Sequence, residues 1–159
     1  MVPEHENLIV LRSFSKWAGL AGLRIGYGIF PERVAWHLMK IKQPYNVNVA
    51  AQVAVRESMA DIEYLKSMVS AIISERERLF SKLGELDFLK PYPSEANFIL
   101  CAVLEGDAQK LHEELQKFGI FIRYFDTPLL RDSIRISVGK PEHTDALVEA
   151  LQKIGEANG

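Results

Sequence analysis

Cysteine and long apolar runs are scarce in this sequence, and each shortage excludes a class of protein. Cys101 is the single cysteine, so neither an internal disulfide nor a cysteine-rich zinc site can form. No apolar stretch reaches the roughly 18 residues that a membrane-spanning helix needs. The four histidines, at positions 5, 37, 112 and 143, lack the spacing of metal ligands. We therefore expect neither a membrane span nor a metal site.

A surplus of positive charge is also missing. The 19 Lys and Arg residues are matched by 21 Asp and Glu residues, which gives a net charge of −2. Proteins that bind nucleic acid through its phosphates need a basic surplus, so this class is disfavoured. The N-terminal segment MVPEHENLIVL has neither the basic and apolar regions of a signal peptide nor the Arg- and Ser-rich composition of a transit peptide. The sequence thus predicts a soluble intracellular protein.

What is present is a globular composition, with 48% hydrophobic and 25% charged residues, and a mixed pattern of strands and helices. A Pro-rich segment at 90–97 is the candidate domain boundary, and a small α+β unit follows it. The predicted strands, of which the first reads as buried, cover 8–11, 23–30, 97–103, 119–125 and 133–138. The predicted helices cover 49–59, 61–83, 107–118 and 141–154, with one more from Pro31 towards Pro44.

Two hydroxyls, an amine and a guanidinium cluster near the end of the first predicted strand. Ser13, Ser15 and Lys16 follow the apolar run directly, and Arg24 lies eight residues after the lysine. Ligands of α/β folds usually bind at strand ends, and hydroxyl and guanidinium groups suit a phosphate. A neutral lysine amine at such a site can form a Schiff base with an aldehyde. The alternative is that Lys16 and Arg24 are ordinary surface charges, and the spacing alone favours this alternative.

A second cluster consists of two arginines in neighbouring predicted strands. Arg123 alternates with Ile120 and Ile122, and Arg135 lies between Ile134 and Ile136, so each arginine is predicted to lie opposite an aliphatic face. Two such arginines can bind anions in one pocket. The alternative is the solvated face of an ordinary antiparallel sheet, which the pattern by itself favours.

Several motifs add a family resemblance to these patterns. The segment SFSKWAGLAGLRIGYG at 13–28 resembles the lysine segment of class I/II aminotransferases, which are pyridoxal-phosphate enzymes. QPYNVN at 43–48, PSEANF at 93–98, GIFIR at 119–123 and RISVG at 135–139 resemble the histidinol-phosphate aminotransferases, the plant type most closely. The resemblance implies an α/β chain that forms the C-terminal part of the aspartate-aminotransferase-like (type I) fold and ends in a small α+β domain.

The same resemblance implies how a pyridoxal 5'-phosphate cofactor would be bound. Lys16 matches the lysine that forms the Schiff base and moves a proton between the substrate Cα and the cofactor. Ser13, Ser15 and Arg24 match the residues that hold the cofactor phosphate. These implied roles agree with the chemistry of the first cluster.

The implied reaction is the transfer of an amino group between histidinol phosphate and 2-oxoglutarate, as in histidine biosynthesis. Arg135 matches the residue that grips the substrate α-carboxylate, and Arg123 matches the one that meets the substrate phosphate. Members of the family act as homodimers, so the implied partners are these small molecules and a second copy of the subunit, with no nucleic acid and no membrane.

The resemblance covers only the C-terminal portion of the family, less than half of its length. It implies that residues 1–60 are a remnant of the large cofactor-binding domain, 61–84 a linking helix, and 85–159 the small domain. Family segments that contact the cofactor ring have no counterpart here, so we expect the isolated chain to be inactive. Two alternatives stay open: a non-catalytic truncated fragment or partner subunit, and a related pyridoxal-phosphate decarboxylase of a phosphorylated amino acid.

Overall fold

The computed structural model describes residues Val2 to Asn158 of the chain. These residues form two compact units that divide between Val69 and Ser70. The division falls inside the longest helix, so no loop marks it. The predicted domain limits at 60/61 and 84/85 stay predictions.

The first unit contains a two-stranded antiparallel sheet and helices. Its strands pair with Ser13 opposite Gly26. Glycine is required at position 26, because a Cβ there would lie 2.6 Å from the backbone oxygen of Arg12. The elements of this unit are short 3-10 turns at Val2–Glu4 and Ala21–Leu23, strands β1 (Val10–Ser13) and β2 (Gly26–Ile29), helices α1 (Glu32–Ile41) and α2 (Val49–Ala60), and the first part of α3 (Ile62–Gly84).

Local sequence signals explain where these helices start. Asn48 precedes α2, and its side-chain oxygen accepts a hydrogen bond from the Ala51 amide at 2.8 Å, the usual role of an N-cap asparagine. Pro31 is the N-cap of α1 rather than its first helical residue. The predicted helices at 49–59 and 61–83 are confirmed to within one or two residues.

The prediction of a buried first strand is wrong in its burial and shifted in its position. The strand starts at Val10 instead of Leu8, and Leu11 within it is 71% exposed. A sheet of only two strands cannot bury a face by itself. The buried hydrophobic residues of this unit are few: Val2, Phe14, Ala18 and Ala51.

The second unit is built on a four-stranded antiparallel sheet with strand order β3-β4-β6-β5. Strand β3 overlaps the start of the Pro-rich segment at 90–97, for which the sequence predicts a connection and no strand. Pro91 is tolerated there because β3 is an edge strand, where a missing N–H costs no ladder hydrogen bond. The elements of this unit are the rest of α3, then β3 (Leu89–Pro91), β4 (Phe98–Val103), α4 (Ala108–Lys117), β5 (Arg123–Tyr124), β6 (Ser133–Ser137) and α5 (Pro141–Asn158).

The sequence predicts a strand over 119–125, but strand β5 has only two residues. The first residues of the predicted strand close the end of helix α4 instead. Gly119 has φ +74°, and the Ile120 amide donates to the Leu115 carbonyl at 3.0 Å while the Gly119 amide donates to Gln116 at 2.9 Å. This pair of bonds is the Schellman arrangement that closes a helix on a left-handed glycine. The backbone therefore becomes extended only at Arg123.

One face of the four-stranded sheet forms the core of the second unit. Ile99, Cys101, Ile134 and Ile136 are 0–3% exposed and alternate with less buried residues along β4 and β6. Burial raises the pKa of the Cys101 thiol to about 12, so this cysteine is a packed hydrophobic residue rather than a nucleophile. The helical side of the same core is made by Leu79, Leu83, Leu111, Leu115, Leu147 and Leu151.

A charged contact ties α3 to the start of α5 beside this core. The Glu75 carboxylate is buried and accepts hydrogen bonds from Arg78 Nε at 3.1 and 3.2 Å. Arg78 also donates to Asp145 and to the Pro141 carbonyl, both at 2.7 Å. Burial alone would raise the pKa of Glu75, but the hydrogen bonds from Arg78 and Thr144 outweigh it, and the pKa lies below its ordinary value.

We predict that Glu75→Gln destabilises the chain at neutral pH and much less in acid. A carboxyl whose pKa is lowered by folding stabilises the folded state above its unfolded pKa, and this contribution disappears as the pH falls through the folded pKa. The loss near pH 7 should be about 1.5–3 kcal/mol, the range for hydrogen bonds to charged groups. Urea unfolding followed by circular dichroism, at about pH 7 and about pH 3.5, measures both values.

Glu149→Gln is the matched control, because Glu149 makes an ion pair with Lys153 across an exposed helix face. Such pairs contribute about 0–1 kcal/mol. Equal losses for the two variants at neutral pH would contradict the role given to Glu75.

Candidate functional site

The predicted lysine lies in a tight turn at the end of β1. The Phe14 amide donates to the Ile25 carbonyl at 3.2 Å and so extends the pairing of β1 and β2. The chain then turns, with the Ser15 amide bonded to Ser13 Oγ at 3.1 Å and the Gly19 amide bonded to the Lys16 carbonyl at 3.1 Å. The Lys16 side chain is exposed on this turn.

Aromatic packing anchors the turn. Phe14 is 8% exposed, and its ring lies 5.4 Å from the rings of both Trp17 and Tyr27. Ala18 is buried to the same extent. The turn is therefore held on both sides of Lys16, while the lysine itself stays accessible.

Arg24 lies at the same end of the hairpin, two residues before β2 begins. It is the one non-glycine residue with positive φ in the described part of the chain, at +53°, and its Nη1 donates to the Ala21 carbonyl at 3.1 Å. A left-handed conformation in a residue with a side chain costs of order 1 kcal/mol or more and occurs often at ligand sites. The glycine-rich pattern around Arg24 predicted a turn but did not show that the arginine itself would take this conformation.

The first predicted cluster is thus gathered at one end of the β1–β2 ladder. Ser13 is the last residue of β1 and pairs with Gly26, Ser15 and Lys16 follow directly, and Arg24 lies two residues before that pair. Two hydroxyls and a guanidinium suit a phosphate, and an exposed amine suits an aldehyde. The residue types at this end of the ladder are therefore those that suit a phosphorylated aldehyde.

The second predicted cluster is brought together on the four-stranded sheet. Arg123 and Arg135 are directly paired residues of the antiparallel strands β5 and β6, and Leu100 of β4 pairs with Arg135 on its other side. Directly paired residues share a face, and this face is opposite the one that carries Ile134 and Ile136. Arg123 is exposed and Arg135 is half-buried.

Two phenylalanines that sequence reasoning did not assign lie against these arginines. The guanidinium carbon of Arg123 lies 5.1 Å from the centre of the Phe125 ring, and that of Arg135 lies 5.4 Å from it. Arg135 is also 5.1 Å from the Phe98 ring. The sequence could have indicated this contact, because Arg123 and Phe125 are two residues apart and therefore lie on one face of an extended chain.

The Nε atom of Arg135 is buried and has no hydrogen-bond partner among the residues that the structure describes. Buried polar groups normally have a partner, and an unpaired one needs an explanation. An anion bound at this face is one such partner, which agrees with the chemistry predicted for the pair.

Other features of the described residues do not add a site. No group of three or more His, Cys, Asp or Glu residues in 2–158 could hold a metal ion, and no helix in that range is long and apolar enough to cross a membrane. A cavity of about 670 Å³ lies along α4 and the C-terminal end of α5, but none of the six predicted site residues lines it.

Comparison with known proteins gives the family. The model of the family "Aminotransferase class I and II" matches residues 1–151. A histidinol-phosphate aminotransferase of Dehalococcoides mccartyi is 52% identical over 155 residues, which cover 98% of this chain and 43% of the relative. A chloroplastic histidinol-phosphate aminotransferase of Nicotiana tabacum is 54% identical over 152 residues, covering 95% of this chain and 37% of the relative. The chain therefore spans less than half the length of these relatives.

A solved structure agrees with the sequence comparison. The histidinol-phosphate aminotransferase of Sinorhizobium meliloti, in complex with pyridoxal-5'-phosphate, superposes with a TM-score of 0.80 at 31% identity, over 97% of this chain and 42% of the other. The predicted fold class is confirmed: the two units have the fold of the corresponding part of a pyridoxal-phosphate aminotransferase. The chain belongs to the aminotransferase class I and II family.

Proposed function

We propose that this chain carries the lysine-bearing and arginine-bearing part of a pyridoxal-phosphate-dependent transaminase that acts on histidinol phosphate and 2-oxoglutarate. Sequence identity carries the proposal, because relatives named histidinol-phosphate aminotransferase are 52–54% identical across at least 95% of this chain. The proposal concerns the complete enzyme, since those relatives are more than twice as long, and it includes assembly as a homodimer.

The first cluster would hold the cofactor. The hydroxyls of Ser13 and Ser15 and the guanidinium of Arg24 bind its phosphate, and the exposed amine of Lys16 holds its aldehyde carbon. When bound, pyridoxal phosphate supplies a carbonyl that takes up the substrate amino group and a ring that withdraws electrons from the substrate α-carbon.

Lys16 has a second role once the substrate occupies its place. Its Nζ would accept and hold the proton from the substrate carbon that bears the amino group, which is general acid–base catalysis by a positioned amine. The anchored turn around Lys16 supports this role, because Phe14 and Ala18 fix the backbone on either side of the moving side chain.

The arginine pair would bind the anionic groups of the substrates. Arg135 binds the α-carboxylate of the amino-acid substrate, and Arg123 binds the phosphate of histidinol phosphate. The position of both arginines on the face opposite the core supports the proposal, because long cationic side chains there can reach a ligand without crossing apolar packing.

The direct test is a chimera in which this chain replaces the matching part of the Dehalococcoides mccartyi relative. The proposal predicts that the chimera makes glutamate from 2-oxoglutarate when histidinol phosphate is the amino donor. Lys16→Ala should lower kcat by about 1,000-fold or more, as expected when a group that takes part in every step is removed, and should weaken cofactor binding without abolishing it. A coupled assay for glutamate and the cofactor absorbance measure both effects.

Lys66→Ala is the control, since Lys66 is an exposed lysine that pairs with Glu63 on α3 and should leave turnover unchanged. Substantial transamination by the Lys16→Ala chimera would refute the role of Lys16. Release of carbon dioxide from a phosphorylated amino acid, without glutamate, would favour the decarboxylase alternative.

The arginine roles make a separate prediction in the same chimera. Arg135→Ala should lower kcat/KM for every amino-acid substrate. Arg123→Ala should lower kcat/KM for histidinol phosphate about 10- to 100-fold more than for glutamate, because it removes one or two hydrogen bonds to a charged group. Arg131→Ala, which removes an exposed arginine next to Asp132, should change neither value. Equal losses for both substrates in Arg123→Ala would remove the phosphate role from Arg123.

A further inference from the structure

The Phe125 ring lies within reach of both guanidinium groups of the arginine pair. The distances from its centre are 5.1 Å to Arg123 and 5.4 Å to Arg135. Both are inside the roughly 6 Å range at which a cation is attracted to the face of an aromatic ring. A single side chain therefore contacts both members of the pair.

This contact matters because the two arginines are a like-charged cross-strand pair. Arg123 and Arg135 are directly opposite in the register of β5 and β6, and like charges in that position destabilise a sheet. An aromatic ring next to both charges offsets their repulsion through its negative quadrupole. The pair can then stay on one face when no anion is bound.

Phe125 also limits where the arginine side chains can point. Strand β5 has only two residues, and Arg123 is exposed, so the backbone ladder leaves its long side chain many rotamers. Arg135 has a second ring beside it, since Phe98 lies 5.1 Å from its guanidinium carbon. Of the described ring contacts, Phe125 alone touches Arg123, so the loss of this ring should release Arg123 completely and Arg135 only in part.

We propose that Phe125 is a positioning residue of the anion site: its ring contacts both guanidinium groups and orients them before the substrate binds. This inference rests on the proposed function, which assigns anions to the arginine pair. Preorganisation of this kind raises affinity because the arginines lose less side-chain freedom on binding. Phe125 itself touches no substrate group in this account.

The test uses the full 159-residue chain labelled with nitrogen-15, whose arginine Nε–H signals report each guanidinium separately. In the absence of ligand, Phe125→Leu should shift the signals of both Arg123 and Arg135, and Phe98→Leu should shift that of Arg135. Phe121→Leu is the matched control, because Phe121 lies two residues before Arg123, is 78% exposed and has no described arginine contact. It should shift neither signal.

Titration with inorganic phosphate then measures the effect on binding. The wild-type chain and Phe121→Leu should bind with the same Kd at the two arginines, and Phe125→Leu should bind about fivefold or more weakly. Phe125→Tyr keeps the ring and should restore the wild-type Kd. Cross-strand amide contacts between β4 and β6 that are retained in the variants establish that the sheet is kept.

Two different failures can be told apart. If Phe125→Leu leaves both Nε–H signals and the Kd unchanged while Arg123→Gln and Arg135→Gln weaken phosphate binding, the positioning role is wrong and the anion site stands. If phosphate moves neither arginine signal in the wild-type chain, or if both arginine variants bind it as well as the wild type, the anion site is wrong and the positioning role fails with it.

Discussion

Burial of one face of the four-stranded sheet is the constraint on which the arginine site depends. Ile99, Cys101, Ile134 and Ile136 are almost fully buried, and side chains alternate between the faces of a strand. Arg135 must then point away from the core, and its partner Arg123 follows through the register of β5 and β6. A slip of one residue would move the arginines into the core and expose the isoleucines, so hydrophobic burial itself fixes the register.

The lysine site depends on a different and weaker support. Its hairpin contributes no residue to a core comparable with that of the second unit: Leu11 is 71% exposed, and Tyr27 and Ile29 are each 45% exposed. The close approach at Gly26 and the left-handed Arg24 nonetheless give the turn a specific shape. Strained conformations persist where the surroundings enforce them. The curated relatives, of which this chain spans 43% and 37%, are long enough to supply further surroundings.

The predictions from sequence succeeded where one regular hydrophobic period extends over several helical turns or several strand residues. The apolar stripe of α3 and the alternation of β6 are of this kind, and both elements are where the sequence predicts them to within one residue. Shared placement of Arg123 and Arg135 on one face also follows from alternation. Strand β3 was not predicted, because a three-residue strand that includes Pro91 is too short to show a hydrophobic period. The strand predicted for β5 was too long, because apolar residues of the Schellman closure after α4 resemble a strand in the sequence.

Contacts between side chains could not be predicted from the sequence, and the reason is physical. An apolar run shows that a strand is suited to burial but not which residues cover it. The rings of Phe125 and Phe98 meet Arg135 through rotamers that packing selects. The roles proposed for Lys16 and Arg24 come from the family motifs, whereas the spacing of these residues alone favoured ordinary surface charges.

The role proposed for the hairpin turn is that Lys16 holds pyridoxal phosphate in the complete enzyme. The sharpest test treats the chimera with pyridoxal phosphate, reduces it with borohydride and locates the product by peptide mass spectrometry. One adduct per subunit, on Lys16, is the expected result. Adducts scattered over several exposed lysines, with no preference for Lys16, would contradict the proposed role.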